Sequence, residues 1–106
     1  MRKLRTLDQY EEDFFQKHPE EIGSYLEAIF DEFAADGNTA ALLASLRVIA
    51  KVKGVSLIAE EIGMTRQGLQ KALSDKGNPR LESINSIMKA MGYRLVPEKI
   101  DMAHAG

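Results

Sequence analysis

At 106 residues, of which 44% are hydrophobic, the chain is long enough to form one domain whose core needs no covalent staple. It has no cysteine, which excludes a disulfide framework and a thiolate metal site. No apolar run approaches the ~20 residues that span a bilayer, and the N-terminus lacks the apolar centre of a signal peptide, so we expect a cytoplasmic protein with no membrane partner.

The formal net charge of −2 is unevenly distributed along the chain. Residues 1–46 hold four basic and ten acidic side chains, a net charge of −6, whereas residues 47–106 hold ten basic and six acidic ones, a net charge of +4. A basic half suits a polyanion such as DNA, and an acidic half suits a basic partner. An acidic helix face that is merely solvated explains the first half equally well.

The first predicted helix covers residues 8–17. Its aromatic residues, Tyr10, Phe14 and also Phe15, are expected to face inward. The helix should end before Pro19, because proline disfavours helical backbone in the residue that precedes it.

A second helix is predicted to begin at Pro19, because proline fits the first helical position and the carboxylates of Glu20 and Glu21 interact favourably with the helix dipole. Asp36-Gly37-Asn38 ends it near residue 35. Apolar residues recur along it at the helical spacing i, i+3, i+4, i+7; they are Ile22, Tyr25, Leu26, Ile29, Phe30 and Phe33.

The third predicted helix covers residues 39–53, with Thr39 or Asn38 as its N-cap and Gly54 at its end. Its inward residues are expected to be Leu42, Leu43, Leu46, Ile49, Ala50 and Val52.

Residues 56–74, SLIAEEIGMTRQGLQKALS, have the pattern of a helix-turn-helix. Ala59 is small where two helices cross steeply, and Gly63 tolerates the positive φ that the turn requires. Met64 is expected to plug the turn and Thr65 to cap the second helix. The remaining inward positions are Ile58, Ile62, Leu69, Ala72 and Leu73. DNA is therefore the leading candidate ligand.

A helical wheel with Leu69 on the core side gives the second helix an outward face of Gln67, Gln70, Lys71 and Ser74, flanked by Thr65 and Arg66. Arg suits the O6 and N7 atoms of guanine, Gln suits the N6 and N7 atoms of adenine, and Lys serves guanine or phosphate. The alternative is an ordinary solvated helix face. Gly68 is unusual inside a helix, where glycine costs roughly 1 kcal/mol relative to alanine.

The last predicted helix begins at Asn78-Pro79, as N-cap and first helical residue, and ends at Gly92. Its inward residues are expected to be Leu81, Ile84, Ile87, Met88 and Met91. The alternation in residues 93–96, YRLV, predicts a short strand, and residues 97–106 are expected to form a flexible tail.

Two places are expected to hold DNA phosphates. At Asn78-Pro79-Arg80, a helix N-terminus offers free N–H groups beside a guanidinium, although Asn78 is equally well explained as a simple cap. The other place is the start of the first motif helix, where Ser56 is followed by Leu57, so its hydroxyl or backbone N–H groups would make the contact.

Five short motifs follow one another along residues 54–92: GVSLIA, which ends at Ala59, then GMTR, LQKALS, GNP and AMG. In these motifs, residues 39–96 resemble the DNA-binding domain of Xre/Cro-type, lambda-repressor-like regulators, and the chain as a whole resembles the HigA-like probable addiction module antidote family. The upstream segment EEIGSYLEAIFDEFAADG is similar to the segment that precedes the domain in that family. The resemblance implies an all-α bundle with an acidic helical extension over residues 1–38 and a short C-terminal strand. Many relatives have Gln where this chain has Leu57.

The resemblance also implies a repressor that binds operator DNA as a homodimer and, as the antitoxin of a type II toxin–antitoxin operon, neutralises a small basic toxin of the RelE/ParE type. Acidic residues would steer that toxin; the candidates are Glu20, Glu27, Asp31 and Glu32. One alternative is a stand-alone, phage-like repressor whose N-terminal helices only dimerise or cover the core. Another is an interaction domain that has lost DNA binding.

Catalytic signals are absent from the sequence. His18 and His104 lack partners at metal-ligand spacing, and Asp36-Gly37-Asn38 fails as a calcium loop because Ala34 and Leu43 fall at ligand positions. There is no phosphate-binding glycine loop and no nucleophile elbow. We therefore expect no enzyme activity, no cofactor, no metal and no small-molecule substrate.

Overall fold

The computed structural model describes residues 6–101, and this part of the chain forms six α-helices. They are α1 (Leu7–Lys17), α2 (Ile22–Asp36), α3 (Thr39–Lys53), α4 (Val55–Ile62), α5 (Arg66–Ala72) and α6 (Leu81–Ala90). The expected all-α class is confirmed. No helix within residues 6–101 is both long and apolar enough to cross a membrane.

Helix α1 turns a different face to the core than its aromatic residues predict. Of the three, only Phe15 is buried, whereas Phe14 is 46% exposed and Tyr10 is 67% exposed. The inner edge carries polar residues that find partners: Asp8 lies 4.0 Å from Arg47, and Glu11 accepts a 3.4 Å hydrogen bond from the Tyr25 hydroxyl. These contacts to α3 and α2 select the Phe15 side, so the inward placement of Tyr10 and Phe14 was wrong.

Helix α2 begins at Ile22 and not at Pro19, because Pro19–Glu21 forms a separate 3-10 turn. Its C-terminus is closed by Gly37 at φ 65°, whose N–H donates to the Phe33 carbonyl oxygen over 2.7 Å. The predicted apolar stripe is confirmed: three of its members are buried, and the other three pack against the core half-buried.

Helix α3 is the centre of the bundle, since α1, α2 and α4 all pack against it. Asn38 is its N-cap, with a side-chain oxygen that accepts from the Ala41 N–H over 3.0 Å. Val52 is half-buried, and Val48, which the pattern missed, is buried. One contiguous core forms; its largest fully buried members are Ile22, Leu43, Leu46, Ile49, Ile58, Leu69, Leu73, Ile87 and Val48.

Helix α6 begins two residues later than expected. Arg80 is its N-cap residue, so Asn78 does not cap it, and Leu81 in its first turn is 76% exposed instead of buried. Arg80 has extended backbone at ψ 159°, which delays the start of the helix. The expected inward positions from Ile84 to Met91 are buried or half-buried.

The predicted C-terminal strand is wrong. After α6, Gly92 adopts φ 94° and the Tyr93 N–H donates to the Met88 carbonyl oxygen over 2.8 Å, as in a Schellman cap. This cap is followed by residues without regular structure, in which Tyr93 and Leu95 are half-buried. Residues 6–101 contain no strand with which this segment could pair. Residues 102–106 of the predicted tail lie outside the described part of the chain.

Candidate nucleic-acid interface

The turn between α4 and α5 is built by backbone hydrogen bonds around Gly63. At φ 75°, Gly63 donates its N–H to the Glu60 carbonyl oxygen over 3.3 Å, and the Met64 N–H donates to the Ala59 carbonyl oxygen over 2.9 Å. Thr65 then caps α5, its hydroxyl oxygen accepting from the Gly68 N–H over 2.9 Å. The roles predicted for Gly63 and Thr65 are confirmed.

Packing of α4 on α5 fixes which side of α5 faces solvent. Ala59 and Leu69 are buried, as expected, whereas Ile62 and Met64 are half-buried. With Leu69 fully inside, the opposite face is left exposed; its outward side chains are Gln67, Gln70 and Lys71. The predicted outward face of α5 therefore consists of donors and acceptors that are free to contact a ligand.

Gly68 lies in the first turn of α5, close to the side chain of the N-cap residue Thr65. A Cβ at this position would be 3.0 Å from the Thr65 hydroxyl oxygen and 3.6 Å from the terminal methyl group of Met64. A contact of 3.0 Å would press on the oxygen that accepts the Gly68 N–H. This close approach favours glycine at a position where helix propensity alone disfavours it.

The structure brings Ser56 and Arg66 into direct contact, although they lie on different helices. Arg66 Nη1 donates to Ser56 Oγ over 2.6 Å. Both residues are exposed, so the guanidinium is held at the joint surface of the first turns of α4 and α5. Helix α4 has no side-chain cap at Gly54, which leaves its first N–H groups available beside this pair.

The Ser74 side chain is less available for contact with a ligand than its position on the helical wheel suggests. It is half-buried, and its hydroxyl donates to the Lys71 carbonyl oxygen over 2.8 Å. The Gly77 N–H in turn donates to the Ser74 carbonyl oxygen over 2.9 Å. The backbone at Gly77 packs closely against the end of α5, because a Cβ on Gly77 would lie 2.2 Å from the Ala72 carbonyl oxygen.

Asn78 and Arg80 both lie on the surface beyond this turn. Asn78 is exposed, and the Arg80 side chain is 85% exposed with Nη1 3.9 Å from Glu82 Oε1. No side chain caps α6, so its first N–H groups are open to an anion beside the Arg80 guanidinium.

Arg47 of α3 contacts the chain directly after α5, a contact that the sequence did not predict. Its Nη1 donates to the Leu73 carbonyl oxygen over 2.7 Å, just after α5, and its Nη2 lies 4.0 Å from Asp8 Oδ2. The one signal that points to it is a lone charge between apolar Leu46 and Val48 in the most buried helix.

The four acidic candidates lie apart from α5: Glu20 in the 3-10 turn, and Glu27, Asp31 and Glu32 on α2. All four are exposed. Within residues 6–101, no group of three or more His, Asp or Glu side chains is placed to hold a metal ion.

Comparison with known proteins identifies the family. The model of the family described as "Probable addiction module antidote protein" matches residues 6–99, which include all six helices. The chain belongs to this addiction module antidote family. It is also 40% identical over 75 residues to an "Uncharacterized protein" of Haemophilus influenzae, a match that covers 71% of this chain and 73% of the relative. No solved structure matches the chain.

Membership in the antidote family has two consequences. It assigns the chain an antitoxin role, and it implies a toxin as partner. The match also spans both the acidic helices α1 and α2 and the α4–α5 unit, so the two halves with opposite charge belong to one family architecture.

Proposed function

We propose that this antidote is a sequence-specific DNA-binding repressor of the Xre/Cro type that also neutralises a RelE/ParE-type toxin from the same operon. The observation that carries the DNA-binding role is the exposed face of α5, with Gln67, Gln70 and Lys71 outward while Leu69 is fully buried. In this proposal α4 and α5 are the helix-turn-helix, and α5 enters the major groove.

Base contacts come from the N-terminal part of α5. Gln67 and Gln70 suit the N6 and N7 atoms of adenine, and Arg66 suits the O6 and N7 atoms of guanine. Lys71 serves guanine or phosphate, and the Thr65 hydroxyl, which already accepts from Gly68, keeps its proton to donate. Ser74 contributes at the far end of the helix, where its hydroxyl is partly engaged by Lys71.

Phosphate contacts come from the open helix ends. The start of α4 at Ser56 and the start of α6 at Arg80 both present backbone N–H groups that no side chain caps. Asn78 lies exposed next to the second of these ends. These contacts orient the protein and supply the salt-dependent part of the affinity.

The repressor acts as a homodimer, because one recognition helix reads too few base pairs for useful specificity. Two-fold dimers place their recognition helices about 34 Å apart, one turn of B-DNA, so the operator is expected to be a palindrome. Residues 39–96 form the DNA-binding domain in this scheme, and residues 1–38 form the acidic extension. The extension attracts the toxin through Glu20, Glu27, Asp31 and Glu32.

Three measurements test this function. In the first, DNA from upstream of the gene is titrated with the full chain and compared with scrambled DNA at equal salt. Equal affinities for the two DNAs would remove the repressor role.

The second measurement is the sedimentation of the chain at tens of micromolar, with and without operator DNA. We expect a dimer, and a monomer in both conditions would contradict the homodimer.

The third measurement is bacterial growth while the operon's toxin is expressed. Co-expression of this chain should relieve the growth arrest that the toxin causes. Operator binding without toxin neutralisation would indicate a stand-alone repressor.

A further inference from the structure

A groove of about 610 Å³ lies between α2 and the C-terminal segment 93–98. Its floor is apolar, formed by Leu26 and Phe30 of α2, Met88 of α6 and Leu95 of the segment. The segment reaches this position because the Gly92 cap turns the chain back after α6. Val96, which also lines the groove, is 61% exposed.

The rim of the groove is acidic. Glu27 and Asp31 line it from α2 and Glu98 from the segment, against one basic residue, Arg94. The ion-paired arginines of residues 6–101 lie elsewhere: Arg47 pairs with Asp8, and Arg80 pairs with Glu82. With three carboxylates against one guanidinium, the rim keeps a net negative charge. An apolar floor inside such a rim complements a ligand that presents apolar side chains flanked by Lys or Arg.

We propose that this groove is the docking site for a cationic amphipathic segment of the toxin. The inference rests on the antitoxin role proposed above and goes beyond it by assigning the contact surface. A second copy of this chain fits less well, because two acidic rims would face each other across the interface. The acidic rim accelerates association at long range, and burial of groove residues such as Val96 slows dissociation.

The test measures the association and dissociation rates of the full chain with the purified toxin at several salt concentrations. Val96→Ser removes apolar contact at the groove, and Ile100→Ser is its matched control, because Ile100 is 66% exposed and does not line the groove. We expect Val96→Ser to dissociate about 3- to 10-fold faster, the effect of losing much of the burial of one Val side chain. Ile100→Ser should dissociate at the wild-type rate.

The rim is tested by a double charge reversal, Glu27→Lys with Asp31→Lys. Its control is Glu60→Lys with Glu61→Lys, which makes the same change of net charge at exposed positions of α4. The rim variant is expected to associate with the toxin about tenfold more slowly at low salt, a difference that shrinks as salt rises. The control should associate at nearly the wild-type rate, and melting curves check that all variants are folded.

The outcomes separate the groove from the function on which it rests. Toxin binding with wild-type rates for both groove variants would overturn the docking site and leave the antitoxin role standing. No toxin binding by the wild-type chain would overturn both. A shift of the free chain from dimer to monomer on Val96→Ser would show that a second copy covers the groove, which also overturns the proposal.

Discussion

Arg66 donates a 2.6 Å hydrogen bond to the hydroxyl oxygen of Ser56 and thereby joins the first turns of α5 and α4. In the proposed complex this bond orients the guanidinium for the DNA. We expect Ser56→Ala to weaken operator binding and the cost of Arg66→Ala to fall in the Ser56→Ala background, with a coupling energy of about 0.5–3 kcal/mol.

Operator titrations of the wild type, both single variants and the double variant measure this coupling. Ser24→Ala provides the control cycle, since Ser24 is an exposed serine on α2. The control should be additive with Arg66→Ala. Additivity in the Ser56 cycle as well would mean that the bond has no role in the DNA complex.

Gln67 and Arg80 are expected to contribute to different parts of DNA binding. Gln67→Ala should lower the preference for operator over random DNA at a cost of about 1–3 kcal/mol per base contact, because it removes a base-reading amide. Arg80→Ala should weaken both DNAs alike and reduce the slope of log K against log salt by about 1 per subunit. Titrations of both DNAs at several salt concentrations measure these effects. An unchanged specificity ratio for Gln67→Ala would show that the face of α5 is misassigned.

Arg47 is expected to stabilise the fold mainly through the Leu73 carbonyl oxygen, 2.7 Å from its Nη1. Arg47→Met should lower the free energy of unfolding by about 1.5–3 kcal/mol, the range for hydrogen bonds to charged groups. Asp8→Asn should cost less than about 1 kcal/mol, because this pair is 4.0 Å apart and partly exposed. Urea denaturation measures both, and equal losses would assign the role to the ion pair instead.

Gly77 and Gly23 should respond to alanine with opposite signs. A Cβ on Gly77 would lie 2.2 Å from the Ala72 carbonyl oxygen, so the backbone must move, and we expect a loss of about 1–3 kcal/mol. A Cβ on Gly23 inside α2 would meet the Tyr93 hydroxyl at an ordinary 3.6 Å, and the better helix propensity should stabilise by up to about 1 kcal/mol. Thermal unfolding compares them; a neutral Gly77→Ala would argue against the tight turn after α5.

Stability should fall at alkaline pH through Tyr25. Burial raises the pKa of the Tyr25 hydroxyl above 10.0, and the nearby Glu11 carboxylate acts in the same direction, while a hydrogen bond with Ser45 lowers it. Because the folded pKa exceeds the unfolded one, the contribution is complete below about pH 10 and is lost as pH rises through the folded value. Urea midpoints from pH 8 to 11 should therefore decline less steeply for Tyr25→Phe than for wild type. Parallel declines would contradict the shift.

Local backbone chemistry was readable from the sequence. Asn38 and Thr65 cap their helices because a short side-chain oxygen reaches the N–H three residues on. Gly63 and Gly92 end theirs because positive φ costs glycine little. The apolar periodicity of α2 and α3 is long enough to specify an inward face, and the outward side chains of α5 follow once Leu69 is known to be inside.

Contacts between distant segments were decided only by the tertiary structure. The periodicity of α1 allows two inward faces, and Arg47 and Tyr25 select the one with Asp8 and Glu11. The alternation in residues 93–96 is the same for a strand and for a segment packed on a helix. A strand needs a partner for its backbone hydrogen bonds, and the described chain offers this segment the surface of α2 instead.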